Sequence, residues 1–214
     1  MRITSLGHSC LLVESQDTRL LIDPGVYSTG FESLTELDAI LVTHQHADHM
    51  DGERLGTVVA ANPRAALLFE SETAAETAFE SVIALGAGHS TKIGSIDVSA
   101  VGGQHAFNHD QVPPVGNVGL VLRIDGDQSL FHPGDSYADA PSDVDVLALP
   151  LNAPWARVSE TLDFLRRISP RVVIPIHDGL LNESGRAAYL MHLENAGPDG
   201  TVLRDLSDRK PVDP

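Results

Sequence analysis

The run Leu41-Val42-Thr43-His44-Gln45-His46-Ala47-Asp48-His49 places four groups that can bind a cation within six residues, directly after a short apolar stretch. In an extended chain alternate side chains point the same way, so His44 and His46 can reach one ion together. Asp48 and His49 come slightly later, where the chain can fold back toward a second ion. Neutral imidazole suits zinc and other borderline divalent cations, and a carboxylate adds a hard oxygen donor. A histidine-rich surface loop is the bland alternative. Three of the chain's 10 histidines fall in these six residues, however, which favours ligand chemistry. A cation held in this way lowers the pKa of bound water and polarises a carbonyl or phosphoryl oxygen, so the chemistry on offer is hydrolysis.

Elements with recognisable patterns must hold that segment. Ile3 and Leu6 open an alternating strand, and apolar runs at 10–14 and 18–22 are joined by the polar connection Ser15-Gln16-Asp17, which reads as a hairpin. Residues 38–42 form a buried strand ending just before Thr43. Helices are predicted over 51–58 and over 71–79, the latter with Ser71 as N-cap. A second strand-rich zone spans 91–131: Ile93, Ile96 and Val98 lie around Gly94, then come the apolar run 118–124, a hairpin turn at Asp125-Gly126 and a strand at 128–132. Buried strands follow at 144–149 and 172–176. Between them, Leu162, Leu165 and Ile168 have helical spacing over 159–168, and a last helix covers 185–195. The order is strands, helices, strands, helices. Two sheets packed together with helices outside would bury both sets of apolar strands.

The segment Thr43-His44-Gln45-His46-Ala47-Asp48-His49 resembles the HxHxDH signature of the metallo-β-lactamase superfamily. The resemblance continues in order through Asp23 of Ile22-Asp23-Pro24-Gly25, His105 of Gly103-Gln104-His105, Asp135 of Pro133-Gly134-Asp135 and His177 of Pro175-Ile176-His177, covering about residues 2–180. It implies an α+β fold, a four-layer αββα sandwich of two mixed β-sheets flanked by helices, with residues 1–214 as a single hydrolase domain. It also implies that His44, His46 and His105 hold one metal, that Asp48, His49 and His177 hold a second, and that Asp135 bridges them. Asp23 would fix a ligand imidazole through its free N–H, and Thr43 would support the loop. The implied metal is zinc, as one or two ions, with manganese as the alternative.

Composition narrows the partners. A formal net charge of -16, with Lys92 and Lys210 the only lysines, would repel DNA or RNA, and no basic stripe is visible. A dication reverses the charge at its own site, so a small anionic substrate stays compatible. No apolar run approaches the roughly 18–20 residues needed to cross a bilayer, and the N-terminus lacks a secretory apolar region, so neither membrane nor export is expected and the location reads as cytoplasmic. Cys10, the single cysteine, cannot form an internal disulfide and sits in an apolar strand, where it reads as core.

Weaker candidates surround the main set. His8 in Gly7-His8-Ser9-Cys10 resembles the Gly-His start of the small branch that includes ascorbate-6-phosphate lactonases; it either lines the pocket or is structural. His109 and Asn117 are candidates to face the pocket, with His109 donating to a substrate or leaving group. His132 reads as support for the Asp135 loop, Trp155 as a pocket wall or rim aromatic, Asp178 as orienting His177 or capping a turn, and His89 and His192 as surface residues. Relatives acting on thioesters, RNA or flavin-linked substrates carry extra regions. Only 37 residues follow His177 here (214 − 177), and no insertion of such size is present. The expectation is a metal-dependent hydrolase of a small ester, lactone or phosphoester, with Asp48 and His109 as catalytic candidates. The alternatives are a metal-binding ligand sensor without appreciable catalysis and a phosphodiesterase. A homo-oligomer is compatible with the resemblance, but no residue specifies an interface.

Overall fold

The computed structural model describes residues 1–124, 126 and 128–214. Local pairing starts the first sheet: β1 (Arg2–Gly7), β2 (Cys10–Ser15) and β3 (Thr18–Ile22) form an antiparallel meander. The β2–β3 pairing closes at Ser15 opposite Thr18, with Gln16 at φ 51° making the expected tight reversal. β4 (Ala39–Val42), β5 (Ala66–Glu70) and β6 (Val82–Leu85) then join in parallel, in the order β1-β2-β3-β4-β5-β6. Parallel neighbours need crossovers, supplied by α1 (Gly52–Ala61) and α2 (Ser71–Glu76).

The second sheet repeats the plan. β7 (Ser90–Ile93), β8 (Ile96–Gly102), β9 (Val118–Ile124) and β10 (Leu130–His132) pair antiparallel. β11 (Val146–Pro150), β12 (Val172–Ile176) and β13 (Val202–Leu203) follow in parallel, linked by α3 (Val158–Ile168) and α4 (Glu183–Ala196). Both sheets are therefore mixed.

Alternating side chains divide the core into layers. Ile22, Leu41, Leu120, Ala148 and Ile174 meet between the sheets. Leu21 and Ile40 face outward onto Leu55 and Val58 of α1, while Leu147 and Leu149 face Phe164 and Leu165 of α3. Strands covered on both faces read as unbroken apolar runs, and each fully buried Leu or Ile contributes about 1.5–3 kcal/mol. The result is the four-layer αββα sandwich of the α+β class. Among the described residues no helix is long and apolar enough to cross a membrane.

Some details differ from the sequence expectation. α2 is capped by Glu70, not Ser71: the Glu70 carboxylate accepts from the N–H groups of Glu72 and Thr73, and the helix ends at Glu76. β5 and β6 are short parallel strands that no alternation marks. The turn expected at Asp125-Gly126 includes a residue outside those described.

What matters for the site is where strands end. β3 runs into Asp23, β4 into Thr43 and His44, β10 into the loop carrying Asp135, and β12 into His177, all at one edge of the sandwich. Backbone bonds tie that edge together: Val118 N–H donates to Thr43 O at 3.0 Å and His177 N–H to His8 O at 3.0 Å.

Candidate metal centre

The loop after β4 turns tightly, with the N–H groups of His49 and Met50 both donating to His46 O at 2.9 Å. Its base is clamped by Asp23, which is fully buried. Asp23 accepts from Thr43 N at 2.8 Å, from Thr43 Oγ1 at 2.7 Å and from His49 Nδ1 at 2.7 Å. Gly25 is required opposite, because a Cβ there would lie 1.7 Å from the Asp48 carbonyl oxygen. Asp23 (φ 49°), His8 (φ 50°) and His177 (φ 58°) all hold the left-handed backbone that L-residues rarely adopt. Such strain is characteristic of functional sites.

The seven residues expected to bind metal converge. Three overlapping groups each offer ligand atoms within 4.8 Å of one another: His44, His46 and His105; His44, His49 and Asp135; and His8, Asp48, His49 and His177. Asp135 spans the halves. Its Oδ1 lies 3.0 Å from His49 Nε2 and 3.2 Å from His177 Nε2, and its Oδ2 lies 3.5 Å from His105 Nε2. His44 Nε2 and His46 Nδ1 approach to 3.1 Å. The opposite ring nitrogens are occupied. His49 Nδ1–H donates to Asp23, His177 Nδ1–H to Asn152 O at 2.6 Å and His105 Nδ1–H to Ala106 O at 2.7 Å. Each such bond turns Nε2 inward, where its lone pair can meet a cation that displaces any proton there, the arrangement that orients imidazole ligands.

The residues fit a divalent cation. Asp135 Oδ1 and His177 Nε2 are buried and make no well-directed hydrogen bond among the described residues; they lie 3.2 Å apart and answer each other only as charges. A cation seated between them would take up both. Mixed imidazole and carboxylate donors suit zinc or a similar ion.

Electrostatics divide the cluster. Burial, then neighbouring imidazoles, push His44 and His46 below the ordinary histidine range, which keeps them neutral. Burial opposes charge on His177 as well, but the carboxylates of Asp135 and Asp48 outweigh it and raise it to about 9. His49 is raised the same way between Asp135 and Asp23. Burial would raise Asp48, yet His177 and His8 beside it hold its carboxyl far below the usual range. Asp135 is likewise held low against burial by His49 and His177. Protons here occupy the place a cation would take.

The weaker candidates separate clearly. His8 is buried; its Nδ1 accepts Gly179 N–H at 3.0 Å, so the proton sits on Nε2, 3.2 Å from Asp48 Oδ2. That tautomer makes His8 a donor to Asp48 and leaves no lone pair there for a metal. Asn117 does not face the pocket: it is buried, accepting Asp135 N–H at 2.9 Å and donating to Pro133 O at 3.1 Å. His132 supports the same loop, donating to Ser9 O at 2.9 Å and accepting Gly134 N–H at 3.2 Å. Asp178 pairs with Arg186 at 2.6 Å, and His177 is oriented instead by Asn152 O. His109 is exposed, accepts Gln111 N–H at 3.1 Å and lines a neighbouring cavity, outside the three ligand groups. Cys10 is buried, and burial raises its thiol pKa well above the usual range. His89 and His192 are exposed.

Trp155 does more than wall the pocket. Its indole N–H donates to Asp135 Oδ2 at 2.9 Å. The sequence carried one usable signal, a lone tryptophan just after a buried strand, but nothing to reveal its partner. The ligand atoms open into a cavity of about 240 Å³ with Tyr27, Asn108, Trp155 and Leu180 in its walls.

Strand-end loops of an αββα sandwich gathering imidazoles and carboxylates for a cation define a class of metal-site protein. The model of the Beta-lactamase superfamily domain matches residues 2–177, and the chain belongs to that superfamily. It is 42% identical over 212 residues to Protein Rv0786c of Mycobacterium tuberculosis, covering 97% of this chain and 98% of the relative. It is 30% identical to a UPF0173 metal-dependent hydrolase of Opitutus terrae, over 83% of this chain and 84% of that one. Igni18, a metallo hydrolase from Ignicoccus hospitalis, shares the fold with a TM-score of 0.72 at 21% identity, covering 99% of this chain and 97% of that one.

Proposed function

We propose that this metal-dependent hydrolase cleaves a small ester, lactone or phosphoester, with zinc as its metal, as one or two ions, and manganese as the alternative. The observation that carries the reading is the convergence of His44, His46, Asp48, His49, His105, Asp135 and His177 into three overlapping ligand groups beside a cavity where Asp48 is 23% exposed. His44, His46 and His105 would hold one ion and Asp48, His49 and His177 the other, with Asp135 placed between the two sets. A divalent ion so held would supply hydroxide at neutral pH and Lewis-acid polarisation of the scissile group. The protein supplies orientation. Asp23, Asn152 and Ala106 set the tautomers of His49, His177 and His105, while His8 and Trp155 aim the carboxylates of Asp48 and Asp135. His109, in the adjacent cavity, is the candidate donor to the leaving group. The cavity size favours a small substrate, and the net charge of -16 disfavours nucleic acid. In this reading residues 1–214 work as one domain, since both sheets contribute to the site.

The test is turnover by chelator-stripped protein reloaded with zinc or manganese, on p-nitrophenyl acetate, dihydrocoumarin and bis-p-nitrophenyl phosphate. Chelator-sensitive turnover that falls at least about 100-fold in His46→Ala is expected. Metal-loaded protein inert towards all three, or His46→Ala as active as the parent, refutes the proposal.

A further inference from the structure

The apolar residues left on the surface are not scattered. Val26, Tyr27, Ile83, Phe107, Val112, Leu180, Met191 and Val202 are the exposed large hydrophobics among the described residues. Five of these eight ring the candidate site. Val26, Tyr27 and Leu180 line the metal cavity, and Phe107 (73% exposed) and Val112 (49% exposed) line a second cavity of about 260 Å³ beside it. The two cavities share His46, His105 and Asn108 in their linings, so they adjoin at two of the expected ligands. Pro113, Pro114 and Val115 complete its apolar side. An exposed apolar cluster at a binding cleft marks recognition.

Charge points the same way. Among the described residues no lysine or arginine lines either cavity. Asp110 lines the second, and Asp48 and Asp135 the first. A negatively charged tail would find a carboxylate and imidazoles there, with no guanidinium or ammonium to pair with it.

We infer that the substrate is an uncharged ester or lactone carrying an aliphatic arm, with the scissile group at the metal cavity and the arm under the 104–115 loop against Phe107, Val112 and the two prolines. The inference deepens the hydrolase reading above and rests on it for the position of the scissile group. It narrows that reading to its ester and lactone classes and disfavours substrates whose arm carries a phosphate or a carboxylate.

Binding separates the two questions. Zinc-loaded protein is titrated with acetohydroxamic acid, hexanohydroxamic acid and the monohydroxamate of adipic acid, which ends in a carboxylate. The single tryptophan, Trp155, lines the metal cavity and reports binding by fluorescence. Each buried methylene strengthens binding about four-fold, so hexanohydroxamate is expected to bind at least tenfold more tightly than either other probe. Val112→Ser and Phe107→Ser are expected to shrink that advantage while zinc content stays at the parent level. Equal affinity for the hexanoyl and adipoyl probes, no dependence on chain length, or binding of none of the probes overturns the inference. So does a stable dimer that covers this rim and excludes them. The hydrolase reading fails independently, when the metal-loaded protein turns over none of its test substrates although the neutral probe binds as expected.

Discussion

Replacing Asp23 by asparagine tests whether hydrogen-bonded tautomers govern this site. The side chain keeps its shape, so the amide oxygen of the variant can still accept Thr43 N–H, a bond now 2.8 Å long. The atom facing His49 Nδ1 at 2.7 Å changes from an acceptor to a donor if the amide nitrogen replaces Oδ2. Nδ1 must then accept, the proton moves to Nε2, and the lone pair that faces Asp135 and the metal position disappears. Losing such an orienting partner costs about 10–100-fold in metal affinity. At a fixed excess of free zinc this removes about 1.4–2.7 kcal/mol of metal-linked stabilisation. For a chain of this size each kcal/mol shifts Tm by about 2–4 °C, so the zinc-induced rise in Tm should shrink by about 3–11 °C. The assay is thermal unfolding of chelator-stripped parent and Asp23→Asn with and without zinc, supported by cobalt titration of the absorption spectrum. An Asp23→Asn protein that keeps the full zinc-induced rise and the parent cobalt spectrum refutes the tautomer argument.

Three further changes probe other supports. Gly25→Ala forces a Cβ against the Asp48 carbonyl at 1.7 Å; displacing that backbone should cost about 1–3 kcal/mol and lower the zinc-to-protein ratio after gel filtration, and parent zinc content would contradict it. Trp155→Phe keeps an aromatic wall but loses the 2.9 Å bond to Asp135 Oδ2; zinc affinity, read by competition with a chromophoric chelator, should fall about tenfold, and no change would mean the indole N–H is dispensable. The bidentate Arg186 contact lowers the Asp205 carboxyl to about 2 against an ordinary value near 3.8. Because the folded value is depressed, the stabilisation is complete above about pH 4 and disappears as pH falls toward 2. The Asp205 side chain is 36% exposed and solvent screens the pair, so the effect is about 1 kcal/mol or less. Asp205→Asn should flatten that part of the pH–stability curve measured by urea unfolding, and an unchanged slope would exclude the pair as its source.

Short-range chemistry was readable before any coordinates. The 44–49 spacing announced a cation site because ligands close in sequence stay close in space. Apolar runs such as 172–176 announced buried strands, and motif order supplied His105, Asp135 and His177 through a family resemblance. The Ser15-Gln16-Asp17 reversal is likewise local, set by a few neighbouring residues. The fold decided the rest. Periodicity states which face of a strand is buried, but not which distant carbonyl comes to lie opposite a ring nitrogen. The bonds of His177 to Asn152, His8 to Asp48 and Trp155 to Asp135 span 25, 40 and 20 residues and exist only because strands distant in sequence end at the same edge of their sheet. For the same reason Asn117, which looks like a pocket residue by position, turns inward to hold the Asp135 loop. The apolar rim is no pattern along the chain, because Tyr27, Phe107 and Leu180 come to line two adjoining cavities only after the sandwich has closed.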